Sequence, residues 1–223
     1  MYKFPEGLYS DVRIENVFKS DIVVTLGNLD NMKEQQYSAA FIRVFDGKRW
    51  YYSSTTDCKS IQQELDKLAQ MAQYNSTIER NAVVEKFEVN TGTYLNFDGE
   101  RDISNFSLDR KLELLRNYFP HLKNELIKFW RAQYIDQRVV KDFYSSKGAS
   151  LTFDYQRVGF RLLYQMVHEQ EQFMDRFDVA GNEISVLEGL SEEIDKRVAS
   201  SEYFIRNATP VVPGNYTVVL SPE

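Results

Sequence analysis

The amino-acid sequence predicts an α+β fold: a largely antiparallel or mixed sheet with two or three helices packed on it. Three observations predict this. Residues 9–15 alternate, with Val12 and Ile14 on one face and Asp11, Arg13 and Glu15 on the other, the period of a half-buried strand. Asp46-Gly47 stands between two strand-like runs, and Asp-Gly is a strong hairpin signal because both residues tolerate positive φ. Ile61, Leu65, Leu68 and Ala72 recur at spacings of 4, 3 and 4, which draws one apolar helical face.

Taken in order, Tyr9–Glu15, Asp21–Leu26, Ser38–Phe45 and Arg49–Ser53 read as four strands of an antiparallel meander, with turns at Gly27-Asn28 and Asp46-Gly47. Asp57 is placed to cap the following helix, since its carboxylate accepts orphan backbone N–H groups. That helix should close over the meander. Residues 75–80 read as loop, and 83–97 as extended. Asp98-Gly-Glu-Arg-Asp102 is a polar connector that would separate subdomains 1–100 and 101–223. Ser107 opens a second helix carrying Leu108, Leu112, Leu115 and Phe119, with Pro120 as its stop. Asn124–Tyr134 fits either period. Strand is favoured, because Arg138–Tyr144 would pair with it across a turn at Ile135-Asp136-Gln137. Ser145-Ser-Lys-Gly148 is a further turn, followed by strands at 151–153 and 158–167, and 168–177 reads as strand or helix. Ser185 and Glu188 have capping-box spacing. They introduce a long helix whose buried stripe is Leu187, Leu190, Ile194, Val198, Ile205 and Ala208. Pro210 and Pro213-Gly214 end it, and Asn215–Leu220 reads as a last strand.

Composition narrows the function. The 223 residues carry 27 basic and 33 acidic side chains, a formal net charge of −6, which argues against general nucleic-acid binding. Hydrophobic residues make up 43%, enough for a packed core, and the length suits one large domain or two small ones. No apolar run approaches the roughly 20 residues of a membrane span. Met1–Leu8 lacks a secretion signal's basic and apolar regions. The single cysteine, Cys58, rules out an internal disulfide and points to a reducing, cytoplasmic setting.

Candidate chemistry is sparse. His121 and His168 are the only histidines, with no G-x-S-x-G elbow and no glycine-rich phosphate loop. His168-Glu169 begins like a zincin helix, but position 172 is Gln, so the second imidazole is missing and a surface His–Glu pair explains it. Cys58 beside a helix start reads as an incidental thiol. The charge run Glu192 to Arg197 reads as a solvated helix face. The sequons at Asn75, Asn207 and Asn215 are chance matches in a cytosolic protein. Arg43, Trp50, Tyr51 and Tyr52 flank the Asp46-Gly47 turn. Cross-strand pairing explains them; holding a peptide or a partner strand is the functional alternative.

Several segments, in order, resemble the N-terminal half of the TldD/PmbA metallopeptidases, once described as modulators of DNA gyrase. They are Tyr9–Glu15, the hairpin Ile42-Arg-Val-Phe-Asp-Gly-Lys-Arg-Trp50 running into Ser53-Ser-Thr55, and the turn Ser145–Gly148. The 185–208 helix with Pro213-Gly214 and Tyr216–Pro222 completes the set. The resemblance implies a cytoplasmic, zinc-dependent peptidase working as a homodimer or as a heterodimer with a paralogous subunit, on peptide or unfolded polypeptide. In that family a helix of the type H-E-x-x-x-H or H-E-x-x-x-D follows the matching strand. Glu223 precedes any such helix, so the resemblance assigns no catalytic residue, metal ligand or cofactor to this chain; zinc and chemistry are expected in a C-terminal half outside it. Residues 1–223 would then be a non-catalytic domain that encloses and orients substrate and helps assemble the dimer, with Arg43, Trp50 and Tyr52 as possible substrate contacts. The alternatives are a binding and assembly module of an inactive PmbA-like partner, and a self-contained hydrolase using His168 and Glu169. Direct nucleic-acid binding and membrane association are not expected.

Overall fold

The computed structural model describes residues 2–220. Strand β1 (Tyr9–Thr25) is a single 17-residue element, so the expected strands at 9–15 and 21–26 are one. The physical reason is local. Residues 16–20 contain no glycine or proline, and they pair without a break with β2 on one side and β5 on the other. A turn at Leu26-Gly27, with φ of 51° and 83°, folds β1 onto β2 (Asn28–Phe45) in antiparallel register. Two positive φ values are what a two-residue hairpin demands. The expected turn at Asp46-Gly47 joins β2 to β3 (Trp50–Thr55). The meander therefore has three strands, two long and one short, not four. Asp46 organises that turn, its carboxylate accepting from Lys48 N and Arg49 N at 2.8 Å each and from the Tyr51 hydroxyl at 3.1 Å.

Asp57 accepts from Lys59 N and caps a short 3₁₀ turn that leads into α1 (Ile61–Met71). As expected, Ile61, Leu65 and Leu68 are buried, against Val12, Ala40, Ile42 and Val44. Each such side chain contributes about 2 kcal/mol through burial, so Leu65→Ala is the single change that would most loosen this layer. Of residues 83–97, only β4 (Thr91–Tyr94) is a strand. Ser107 caps α2 (Leu108–Arg116), accepting from Arg110 N. Pro120 sits in the first turn of a 3₁₀ segment just beyond.

Strand β5 (Ile127–Ser145) runs straight through the expected turn at 135–137. Arg138–Tyr144 is thus a continuation of Asn124–Tyr134 and not its partner. Asp136 looked like a turn residue, but it is buried and bonded, as described below. The turn at Ser145–Gly148 forms, with Gly148 at φ 96°, and leads to β6 (Ser150–His168), whose two expected strands are again one. Residues 168–177 resolve as strand: β7 (Glu171–Gly181) returns along β6. The capping box at Ser185 and Glu188 does not open the last helix. Residues 184–187 form a 3₁₀ turn, Gly189 adopts φ 72°, and α3 begins at Ser191 and ends at Asn207. The anticipated stripe still faces inward through Leu187, Leu190, Ile194, Val198 and Ile205, whereas Ala208 is exposed. Asn215–Leu220 is no strand: it has no ladder partner, and Val219 is 89% exposed. Ser221, Pro222 and Glu223 lie outside the described residues.

The sheet order is β3-β2-β1-β5-β6, with β4 parallel to the start of β6 and β7 antiparallel to its end. One sheet therefore passes through both sides of the Asp98–Asp102 connector. Because side chains alternate along each strand, the even positions of β1, β2, β5 and β6 share one face. Helix α1 covers one end of that face. Helices α2 and α3 cover the other through Leu112, Leu115, Ile194 and Val198, packed on Ile22, Tyr134, Leu162 and Tyr164. The odd positions form the opposite face, which residues 78–87 cover only where Ile78 and Val84 pack on Tyr9 and Phe45.

Candidate functional site

The uncovered part of this odd face is the candidate site. At its β3 edge, Asp11, Arg43 and Tyr52 lie side by side on adjacent strands. Asp11 is 1% exposed. Its carboxylate takes two hydrogen bonds from Arg43, Nε to Oδ1 at 2.9 Å and Nη2 to Oδ2 at 2.6 Å. These bonds raise the Arg43 pKa against the opposing effect of burial. The same guanidinium lies 4.8 Å from the Trp50 ring, within cation–π range. Trp50 stacks on Phe45 and Tyr52, and Tyr52 on Phe41. Burial, then the neighbouring Asp11, pushes the Tyr9 phenol up. The structure thus brings Arg43, Trp50 and Tyr52 onto one face. Arg43 is committed to Asp11, Trp50 is half-buried, and Tyr52 at 56% exposure is the member open to a ligand.

Towards the centre of the sheet, the same face holds a shallow cavity of about 670 Å³. Ile135, Gly159 and Ala180 form its floor, and Lys19, Lys33 and Arg157 stand around it. Asp21 is present too, its carboxylate accepting from Asn31 Nδ2 at 2.6 Å and Gln133 Nε2 at 2.7 Å. These basic residues were not singled out from sequence. The usable signal was their parity: Lys19 and Lys33 share the odd register with Arg43.

The histidines are not gathered. His168 ends β6 beside the hairpin turn at Glu169, whose φ is 54°. His121 Nδ1 lies 2.6 Å from Asp195 Oδ1 on α3. Among the described residues no group of three or more His, Cys, Asp or Glu is placed to hold a metal ion. Cys58 is half-buried in the turn before α1.

These features define a class: an α+β domain built on an open, mostly antiparallel seven-stranded sheet whose three α-helices all pack on one face. The resemblance to the N-terminal region of TldD/PmbA proteins is borne out, for residues 10–76 match the family described as PmbA/TldA metallopeptidase domain 1. Two of the similar solved structures are named putative modulators of DNA gyrase. The one from Thermotoga maritima has TM-score 0.64 and 13% identity, covering 92% of this chain and 46% of its own. The one from Bacteroides thetaiotaomicron has TM-score 0.64 and 11% identity, covering 86% and 45%. TldE from Thermococcus kodakarensis gives TM-score 0.63 and 12% identity, covering 91% and 46%. The likeness is one of fold, and this chain spans less than half the length of each. No curated protein matches it. No helix among the described residues is long and apolar enough to cross a membrane.

Proposed function

We propose that this chain is the non-catalytic N-terminal region of a TldD/PmbA-type, zinc-dependent cytoplasmic peptidase, in which it encloses and orients a peptide substrate and helps assemble a homodimer or a heterodimer with a paralogous subunit. The observation that carries the proposal is the bare odd face of the sheet. Helices cover the other face, yet this one keeps an exposed aromatic edge at Phe41 and Tyr52 and a central cavity. An extended peptide can lie along such a surface, or add as a strand beside β3, where backbone donors and acceptors supply affinity and side chains supply selectivity. The match over residues 10–76 and the coverage of about 46% of the solved relatives support placing zinc and the hydrolytic step in sequence beyond this chain. The alternative within the same family is the assembly module of a partner whose own metal motif is inactive.

The test is to read the gene past Glu223, purify the encoded protein, and assay zinc and peptide hydrolysis in it and in the 223-residue chain. Zinc and hydrolysis in the longer protein only are the expected result. A longer protein with an intact fold and no zinc, but stable association with a zinc-containing paralogue, favours the assembly module. Hydrolysis by the 223-residue chain itself overturns both.

A further inference from the structure

We propose that the central cavity of the bare sheet face binds an acidic, extended polypeptide segment, so that the domain selects for carboxylate-bearing substrates. The inference rests on the reading of this face as a peptide-binding wall and adds the chemistry of the peptide. It starts from a charge asymmetry. The chain as a whole carries a net −6, yet Lys19, Lys33 and Arg157 surround one cavity. Among the described residues none of the three enters an ion pair. Lys19 lies 5.7 Å from the Tyr37 ring, which leaves its charge uncompensated. Of the two carboxylates in the lining, Asp136 is paired with Lys111, and Asp21 is bonded by two neutral amides. Next to the cavity, Arg161 and Arg176 share the single carboxylate of Asp178, at 2.8 and 3.4 Å, so the excess of positive charge continues along β6 and β7.

The shape fits a peptide. Gly159 and Ala180 keep the floor low, and Ile135, 51% exposed, offers an apolar patch between the cations. Lys19 and Arg157 occupy one row of the sheet, both level with Gln137 on the strand between them. Two strand spacings set them about 10 Å apart, a span that an extended stretch of about four residues covers at roughly 3.3 Å each. A cluster of like charge on a recessed surface focuses its field and attracts the opposite sign. A nucleic acid fits less well: three cations around an aliphatic floor do not track a phosphate backbone, and the lining itself contains no aromatic side chain on which a base could stack.

The experiment is fluorescence anisotropy on the 223-residue chain. The probes are three labelled octapeptides alternating valine with Glu, Gln or Lys, and a single-stranded oligonucleotide of eight bases, each at low and high salt. The Glu peptide should bind about tenfold more tightly than the Gln peptide, and the Lys peptide less than either. The preference should shrink as salt screens it. The triple variant K19Q/K33Q/R157Q should lose the preference. Lys33 and Arg157 are exposed and Lys19 is half-buried, so its circular dichroism should match the parent; if it does not, Lys33→Gln and Arg157→Gln singly must each reduce the preference. Equal affinity for the Glu and Gln peptides, a preference that survives the substitutions, or tighter binding of the oligonucleotide overturns the inference. A longer protein that hydrolyses peptides without acidic preference also overturns it while leaving the peptidase reading intact. Acidic-peptide binding by a protein that hydrolyses nothing does the reverse.

Discussion

Lys111 Nζ and Asp136 Oδ2 lie 2.7 Å apart with neither side chain exposed to solvent. The pair joins α2 to the middle of β5. Asp136 Oδ1 also accepts from Ser20 N and Ser20 Oγ, at 2.8 and 2.6 Å, and Oδ2 accepts from the Tyr134 hydroxyl at 2.7 Å. Lys111 further donates to Ser20 Oγ at 2.9 Å and sits 4.8 Å from the Phe18 ring. Burial, then the charge of Asp136, holds the Tyr134 phenol far above its ordinary range.

Every polar atom of this cluster has a partner, so removing one member strands another. Lys111→Met should destabilise the fold by about 3–5 kcal/mol, because it leaves a buried carboxylate without its cation. The double variant K111M/D136L should cost less than the sum of the two single changes. Urea unfolding of the four proteins measures both.

Tyr164 gives a pH dependence of known sign. Burial, with Asp175 nearby, pushes its phenol up to about 12, although its bond with Ser201 works the other way. A folded-state pKa above the unfolded value of about 10 means that the associated stability is complete below pH 10 and lost as pH rises towards 12. Melting temperature should fall across that window, together with phenolate absorbance, and Tyr164→Phe should flatten the fall.

Acid acts through Asp175. Burial alone would raise its carboxyl, but hydrogen bonds from Arg197, Ser201 and Arg176 N outweigh burial and hold it below the usual range. The corresponding stability is present above about pH 4 and lost as pH drops through the lowered value. Arg197→Met should therefore lower the melting temperature at pH 7 and have a smaller effect at pH 2.5.

Leu26 occupies the left-handed region at φ 51° in the β1–β2 turn, half exposed. Holding a leucine there costs roughly 1–2 kcal/mol, which asparagine largely avoids. Leu26→Asn should raise the melting temperature by a few degrees, measured by circular dichroism.

Arg43 and Tyr52 are neighbours in the ladder but should respond differently. Arg43→Met strands the buried Asp11 carboxylate and should cost about 3 kcal/mol or more. Tyr52→Ala removes an exposed ring and should change stability by under about 1 kcal/mol, yet weaken peptide binding several-fold if the β3 edge is a contact surface. Parallel unfolding and anisotropy titrations separate the two effects.

By itself the sequence determined the class of fold, the hairpins at Asp46-Gly47 and Ser145–Gly148, the Ser107 cap, and the inward faces of α1 and α3. All of these are local: an alternation, a helical stripe, a glycine that accepts positive φ. Tertiary structure alone decided that 9–25 and 127–145 are unbroken strands. Asp136 reads as a turn residue until Lys111, 25 positions earlier, and Ser20, 116 positions earlier, are seen to neutralise and bond it. Asn215–Leu220 shows the converse, since β-branched residues form no strand without a neighbouring backbone to pair with. The basic cavity follows the same logic. Lys19, Lys33 and Arg157 are scattered in sequence, and the register of four strands places them around one floor, where their separate charges act on a single ligand.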